Sequence, residues 1–320
     1  MMSTRFRIHD SAILYFDAVR SAASIRGAAR RLNVASSAVN RQILNLETEL
    51  GTRLFDRLPG GLRLTAAGEI LAEHVTTVLQ DAERTRSALD ALAGLRTGHI
   101  EIATLEGLCQ DIVPSAIKIL GLQGSRITVG VDVMPTADIP DAVAAGNAHL
   151  GLAFEVRPRA DLQKLASVRL QLGVVVLAKS PMARQAALTL RDCSDHQLIL
   201  PRANFANREQ LISTLSESDV RGRMLVDAGS ITLMKQLVLN GVGISFMTRI
   251  GIEDELKTGR LVHIPLFAGR KPIVSELGLY ARRGSARPIA VEAFANILTG
   301  LMATSEKADR ARRNTVSKRG

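Results

Sequence analysis

The stretch Ser36-Ser37-Ala38-Val39-Asn40-Arg41 carries four hydrogen-bonding side chains at helical spacing. With Val39, Ile43, Leu46 and Leu50 turned inward, Ser36, Ser37, Asn40 and Arg41 share the outward face near the helix start. A guanidinium can fork onto the two acceptors of guanine and a carboxamide onto adenine, while a serine hydroxyl reaches a phosphate or a base edge. The free amides of a helix N-terminus add an attraction for phosphate. This is recognition chemistry, with no bond made or broken. On any single helix such a face is more commonly plain solvated surface. The next segment weighs against that: Leu54-Phe55-Asp56-Arg57-Leu58 and Leu62-Arg63-Leu64 flank Pro59-Gly60-Gly61 and are read as a hairpin. Arg57 and Arg63 at its base are the candidates for holding phosphates.

These groups need a scaffold, and the flanking sequence supplies one. Ile13, Phe16, Val19 and Ala23 recur in steps of three and four, giving a supporting helix over 10–22 with Asp10 or Ser11 as cap. Ser24 can cap a short helix over Ile25–Leu32. Asn33, which tolerates a left-handed backbone, opens the turn Asn33-Val34-Ala35, and Ser36 or Ser37 is expected to cap a third helix ending at Gly51. Ala29 is small where the two helices must approach. The result is a helix-turn-helix followed by a wing.

Charge agrees with that reading. The 320 residues hold 41 Lys+Arg against 31 Asp+Glu, a net +10, and the excess sits at the ends. Residues 1–65 contain ten arginines and no lysine against five acids, residues 303–320 six basic against two acidic residues, and the middle is nearly neutral. A basic head on a neutral body is expected of a nucleic-acid reader joined to a module with another task.

Residues 8–70 resemble the DNA-binding domain of LysR-type transcriptional regulators. The likeness rests on Ala28-Ala29-Arg30-Arg31-Leu32, Ala38-Val39-Asn40-Arg41-Gln42-Ile43, Leu46-Glu47, Leu50-Gly51, Leu54-Phe55-Asp56-Arg57 and Leu64-Thr65-Ala66-Ala67-Gly68. The chain departs from the family where Ala35-Ser36 replaces Ser-Gln, Asn40 replaces Ser, and Gly60-Gly61 replaces a basic wing tip, so the bases read cannot be carried over. Thr65 can cap a long helix through about Gly94. In it Leu71, Val75, Val78, Ala82, Thr85, Leu89 and Leu92 form a heptad seam suited to pairing two chains, or to packing within one. The resemblance implies the same linker helix, a dimer and a tetrameric assembly.

Beyond Gly98 strands alternate with helices, and a parallel-sheet α/β architecture is expected. Strands are read at 100–104, 127–133, 150–154, 170–178, 198–200, 224–226, 242–247 and 277–280. Helices are read at 110–120, 139–148, 206–217, 231–240, 249–257 and 288–302. This part is similar to the family's effector domain, a fold shared with periplasmic solute-binding proteins, through Leu237-Val238, Asn240-Gly241-Val242-Gly243-Ile244-Ser245 and Gly259-Arg260-Leu261-Val262. Met247-Thr248 stands where the family has a proline. The resemblance implies two halves, 97–165 plus 270–302 and 166–269, joined by crossovers near 157–167 and 266–273, with a small-molecule effector between them.

Ligands in such sheets bind at strand ends. The candidates are therefore Thr104, Leu105, Glu106 and Gly107, then Met134, Thr136, Phe154, Pro201, Arg202, Ser230 and Ile231. Ser230 and the amides after it can hold a carboxylate and Arg202 can pair with one, or they are simply a cap and a surface charge. Glu106 would repel an anionic effector or accept from an amine or hydroxyl.

No enzyme motif and no cofactor or metal signature is legible. G-x-S-x-G, H-E-x-x-H and G-x-x-x-x-G-K are absent, and His9, His74, His99, His149, His196 and His263 are scattered without ligand spacing. Cys109 and Cys193 read as small core residues of a reducing compartment. With no apolar run near ~20 residues and no secretory leader, a soluble cytoplasmic protein with no membrane contact is expected. The organisation expected is a DNA-binding domain at 1–65, a dimerisation helix at 66–96, an effector domain at 97–302 and a disordered basic tail at 303–320. The function expected is effector-modulated, sequence-specific binding of double-stranded DNA. The alternative is a solute-binding sensor whose head serves assembly alone.

Overall fold

The computed structural model describes residues 11–92, 97–122, 126–202, 208, 211, 224–284 and 287–317. The chain divides into two compact units, drawn mainly from residues up to 96 and from 97 onward.

In the first unit α1 (Ser11–Ala22), α2 (Ile25–Leu32) and α3 (Ser36–Leu50) fall where the apolar spacing places them. Ser24 Oγ accepts the Gly27 amide at 3.0 Å, Asn33 adopts φ 55° and ψ 49°, and Gly51 closes α3 at φ 66°. Ala35 stands at the N-cap of α3 in place of Ser36 or Ser37, and no side chain caps that helix. The turn consumes only Asn33 and Val34, so Ser36 is already helical. Phe16, Val19, Ala28, Ala29, Val39, Ile43, Leu54 and Phe55 form the core, with the Phe16 and Phe55 ring centroids 5.3 Å apart. Leu50, expected inside, is 48% exposed, because the last turn of α3 runs past this cluster.

The wing is β1 (Phe55–Leu58) and β2 (Gly61–Leu64), paired antiparallel. The Leu62 amide donates to Ala23 O at 2.8 Å, docking the wing on the α1–α2 turn. Gly61 sits at φ +139°, and a Cβ there would lie 2.6 Å from Ala23 O, so this close approach needs glycine. Thr65 Oγ1 donates to Arg53 O at 2.7 Å and accepts the Gly68 amide at 3.0 Å, starting α4 (Ala66–Leu92) as expected. Its seam divides. Leu71 and Val75 pack on the head's core, whereas Leu89 and Leu92 are exposed.

The second unit contains two mixed sheets, not one parallel arrangement. The five-stranded sheet has the order β4 (Arg126–Val133), β3 (Thr97–Thr104), β5 (Leu150–Phe154), β14 (Val274–Arg282), β6 (Leu162–Gln171). β14 runs antiparallel to both neighbours. The other sheet has the order β10 (Met224–Ala228), β9 (Leu198–Pro201), β11 (Ile244–Met247), β7 (Gly173–Leu177), β12 (Leu261–Ala268), β13 (Lys271–Pro272), with β8 (Leu188–Thr189) on β12. β7 is antiparallel to β11 and β12. Val174 and Val176 enter one core cluster and Val175 another, so this sheet is covered on both faces. The helices are α5 (Ile112–Leu122), α6 (Ile139–Ala144), α7 (Ile231–Leu239), α8 (Glu253–Lys257) and α9 (Ile289–Ser317). The helix read at 206–217 lies largely outside the described residues.

The first crossover is at Leu172, not within 157–167. The apolar run 170–178 is two strands in different sheets, and residues 162–171 form an edge strand paired to β14. The return crossover is at Ile273. The two passages are bonded to each other: Leu172 N donates to Ile273 O at 2.9 Å, and the buried Gln171 carboxamide donates to the carbonyls of Leu172, Leu266 and Ile273 at 3.2, 2.9 and 3.1 Å.

The segment expected as a disordered tail from 303 instead continues α9 to Ser317. Phe294, Leu298 and Met302 fill the core at steps of four, and Glu306 and Asp309 extend the same face. Glu306 accepts the Arg169 amide at 2.8 Å and Asp309, only 5% exposed, accepts that of Gln171 at 2.6 Å. Two carboxylates one turn apart thus satisfy donors on the open edge of β6. No helix among the described residues is long and apolar enough to cross a membrane.

Candidate nucleic-acid interface and ligand cleft

Ser36, Ser37 and Arg41 are exposed and Asn40 is half-buried, opposite Val39 and Ile43 at 0 and 5% exposure. The polar face of α3 is therefore presented as its spacing requires. Because no side chain caps α3, its first amides stay open to a phosphate. The wing is held against this helix by Glu47, whose Oε1 accepts the amides of Leu54 and Phe55 at 2.7 and 3.3 Å. Glu47 was legible as part of the family motif but not in this role.

Arg57 and Arg63 are both exposed but leave the hairpin from opposite faces. Arg57 is in register with Leu62, Arg63 with Asp56, and successive strand residues alternate sides. Arg63 therefore shares its face with an acid. Arg26, Arg30, Arg31 and Arg53 add exposed positive charge that motif spacing alone does not single out.

In the second unit a cavity of about 270 Å³ opens at the strand ends, between the two sheets. Of the expected residues, Leu105, Glu106, Gly107, Met134, Thr136, Phe154 and Ile231 line it. Four do not. Thr104 is fully buried, its hydroxyl without a hydrogen-bond partner among the described residues, and Pro201 is buried within β9. Arg202 points to solvent, 66% exposed and 4.0 Å from Asp227 Oδ2. Ser230 is engaged by its own chain: its hydroxyl accepts the Leu233 amide at 3.2 Å and donates to Glu106 Oε1 at 2.9 Å.

Leu108, Val133, Pro135, Gly229, Met247, Thr248, Ile250 and Ser275 complete the lining. Thr248 and Met247 were visible as the departure from the family's proline. Ser275 arrives through the return crossover, a long-range event no local pattern announces.

Glu106 also accepts the amides of Ile231 and Thr232 at 3.0 and 3.3 Å. Burial pushes its pKa up, but bonds from Thr232, Ser230 and the two amides outweigh that and leave it below the usual carboxylate value. The thiols are poor nucleophiles. Burial, then Asp192, pushes Cys193 up to about 12, and burial, then Glu106, raises Cys109. Among the described residues no group of three or more His, Cys, Asp or Glu could hold a metal ion.

A winged helix with an exposed polar face on α3, carried on one chain with an α/β module that encloses a small cavity, is the architecture of a ligand-responsive DNA-binding regulator. Residues 11–69 match the model of the bacterial regulatory helix-turn-helix proteins of the lysR family, and residues 93–303 match the LysR substrate binding domain. The chain belongs to the LysR family of transcriptional regulators.

Among its relatives is the HTH-type transcriptional regulator CbbR of Rhodospirillum rubrum, 29% identical over 247 residues, 77% of this chain and 82% of the relative. A full-length OxyR variant from Pseudomonas aeruginosa superposes with a TM-score of 0.71 at 18% identity, covering 92% of this chain and 95% of that one. CbnR in complex with its target DNA gives 0.51 at 20% identity, covering 92 and 98%.

Proposed function

We propose that Ser36, Ser37, Asn40 and Arg41 enter a major groove and read base edges, while Arg57 and Arg63 hold phosphates from the two faces of the wing. The observation that carries this reading is the exposed, uncapped start of α3 beside a wing pinned by Glu47. The protein acts as a homo-oligomer, pairing through the exposed end of α4 around Leu89 and Leu92. Two reading helices then meet half-sites about one ~10 bp turn, or a multiple of it, apart.

The cavity at the ends of β3, β4 and β5 takes the effector. By preferring one arrangement of the two halves, the effector shifts the population of DNA-binding geometries. The role is regulatory without catalytic turnover, and the protein works in the cytoplasm, where its DNA is. Its functional divisions are a reading domain to Thr65, a connector over 66–96 and an effector domain extending to Ser317. Genome-wide footprinting of bound sites tests this: footprints sharing one two-fold motif are expected, and failure to bind duplex DNA of any sequence at low salt overturns it.

A further inference from the structure

We propose that the cavity admits a small, largely apolar molecule without negative charge, because Glu106 from one half already fills the anion-accepting helix N-terminus of the other. This rests on the reading of the cavity as the effector site and specifies its chemistry. Glu106 opens the short 3-10 turn Glu106–Gln110 after β3, whereas α7 belongs to the half built on the other sheet. The carboxylate meets the Ser230 hydroxyl and the amides of Ile231 and Thr232, the groups an incoming anion would seek.

The nearest buried cation on the same helix is also committed. Lys235, 8% exposed, donates to Gln110 Oε1 at 2.6 Å and lies 3.3 Å from Glu255 Oε1, while Gln110 Nε2 donates to Thr232 Oγ1 at 3.2 Å. Among the described lining residues there is no Lys, Arg or His, and Glu106 is the one charged group. An entering anion would lose hydration, find no free positive partner and face a carboxylate. An uncharged ligand instead gains apolar contact with Leu105, Met134, Phe154, Ile231, Met247 and Ile250. A volume of about 270 Å³ is at the small end for ligand pockets (~300 to 1,000 Å³), which points to a molecule with about one ring.

Three one-ring probes of graded charge test this on the full chain by calorimetry or ligand-observed NMR: benzyl alcohol, benzylamine and benzoate. The wild type should bind the alcohol and the amine, and benzoate at least ~tenfold more weakly. Glu106→Ala, which clears the start of α7, should strengthen benzoate binding about tenfold and change the alcohol by less than about threefold. Glu106→Gln, which retains the acceptor and drops the charge, should lessen the discrimination and guards against a folding defect in the alanine variant. Benzoate binding to the wild type as well as the alcohol, no gain for benzoate in either variant, or no binding of any probe would overturn the assignment. If the charge order holds yet no probe alters DNA affinity, the ligand class stands and the effector reading of the cavity fails.

Discussion

The Glu47 carboxylate accepts the Leu54 amide at 2.7 Å, so one side chain of α3 sets the position of the wing that follows it. Leu54 and Phe55 are 1 and 8% exposed, so water is a poor substitute for this acceptor at their amides. Glu47→Ala should cost ~1 to 3 kcal/mol of head stability, the penalty for leaving a buried donor unpaired. Amide exchange at Leu54 and Phe55 in the full chain should accelerate accordingly, and unchanged protection would show that the wing is held by packing alone.

Arg41, Arg57 and Arg63 should separate in titrations against specific and random duplex across a salt series. Arg41→Ala should lose ~1 to 3 kcal/mol of discrimination between bases. Arg57→Ala should weaken every sequence alike and reduce the salt slope by about 1. Arg63, in register with Asp56, should contribute a smaller loss of the same uniform kind. Equal losses on specific and random DNA for Arg41→Ala would remove it from the base-reading set.

The Glu106 bridge predicts a pH signature. Its carboxyl is held below the ordinary 4.5 when folded, so the bridge contributes stability at neutral pH and loses it as pH falls through the lowered value. The stability gap between wild type and Glu106→Gln should be constant from pH 7 to about 5 and shrink below about 4.5. Thermal unfolding at a series of pH values reads this directly. A gap that widens on acidification would contradict the bridge.

Asp309→Ala should expose the dependence of the crossovers on α9. Without the carboxylate the Gln171 amide is buried and unpaired, at a cost of ~1 to 3 kcal/mol. Hydrogen exchange should quicken at Gln171 before it does in the core strands, with Arg169 following where Glu306 is lost as well. Removal of residues 304–320 should quicken both, whereas a dispensable tail would leave both amides protected.

Local order decided much of the head. Ser24, Asn33 and Gly51 each do at short range what their chemistry prescribes, and the steps of three and four around Phe16, Val19 and Val39 mark the buried faces. The polar face of α3 follows from the same periodicity, which is why the exposure of Ser36, Ser37 and Arg41 was legible in the sequence. The positions of the expected strand ends likewise placed seven of the cavity's lining residues, because ligand sites in such sheets gather at strand ends.

What lay beyond the sequence depends on partners distant along the chain. Glu306 and Asp309 look like the start of a polar tail until β6 is placed beside them with two open amides. Leu172 is one more apolar residue in a run until the two sheets claim its neighbours on either side. Ser230 and the amides after it read either as an anion site or as a plain helix cap, and only the fold shows that Ser230 is the cap and that Glu106, 124 residues earlier, also occupies the site. Periodicity reports which face of an element turns inward. It carries no information on which carboxylate will arrive at which donor, since that is set by the tertiary packing of elements whose sequences never meet.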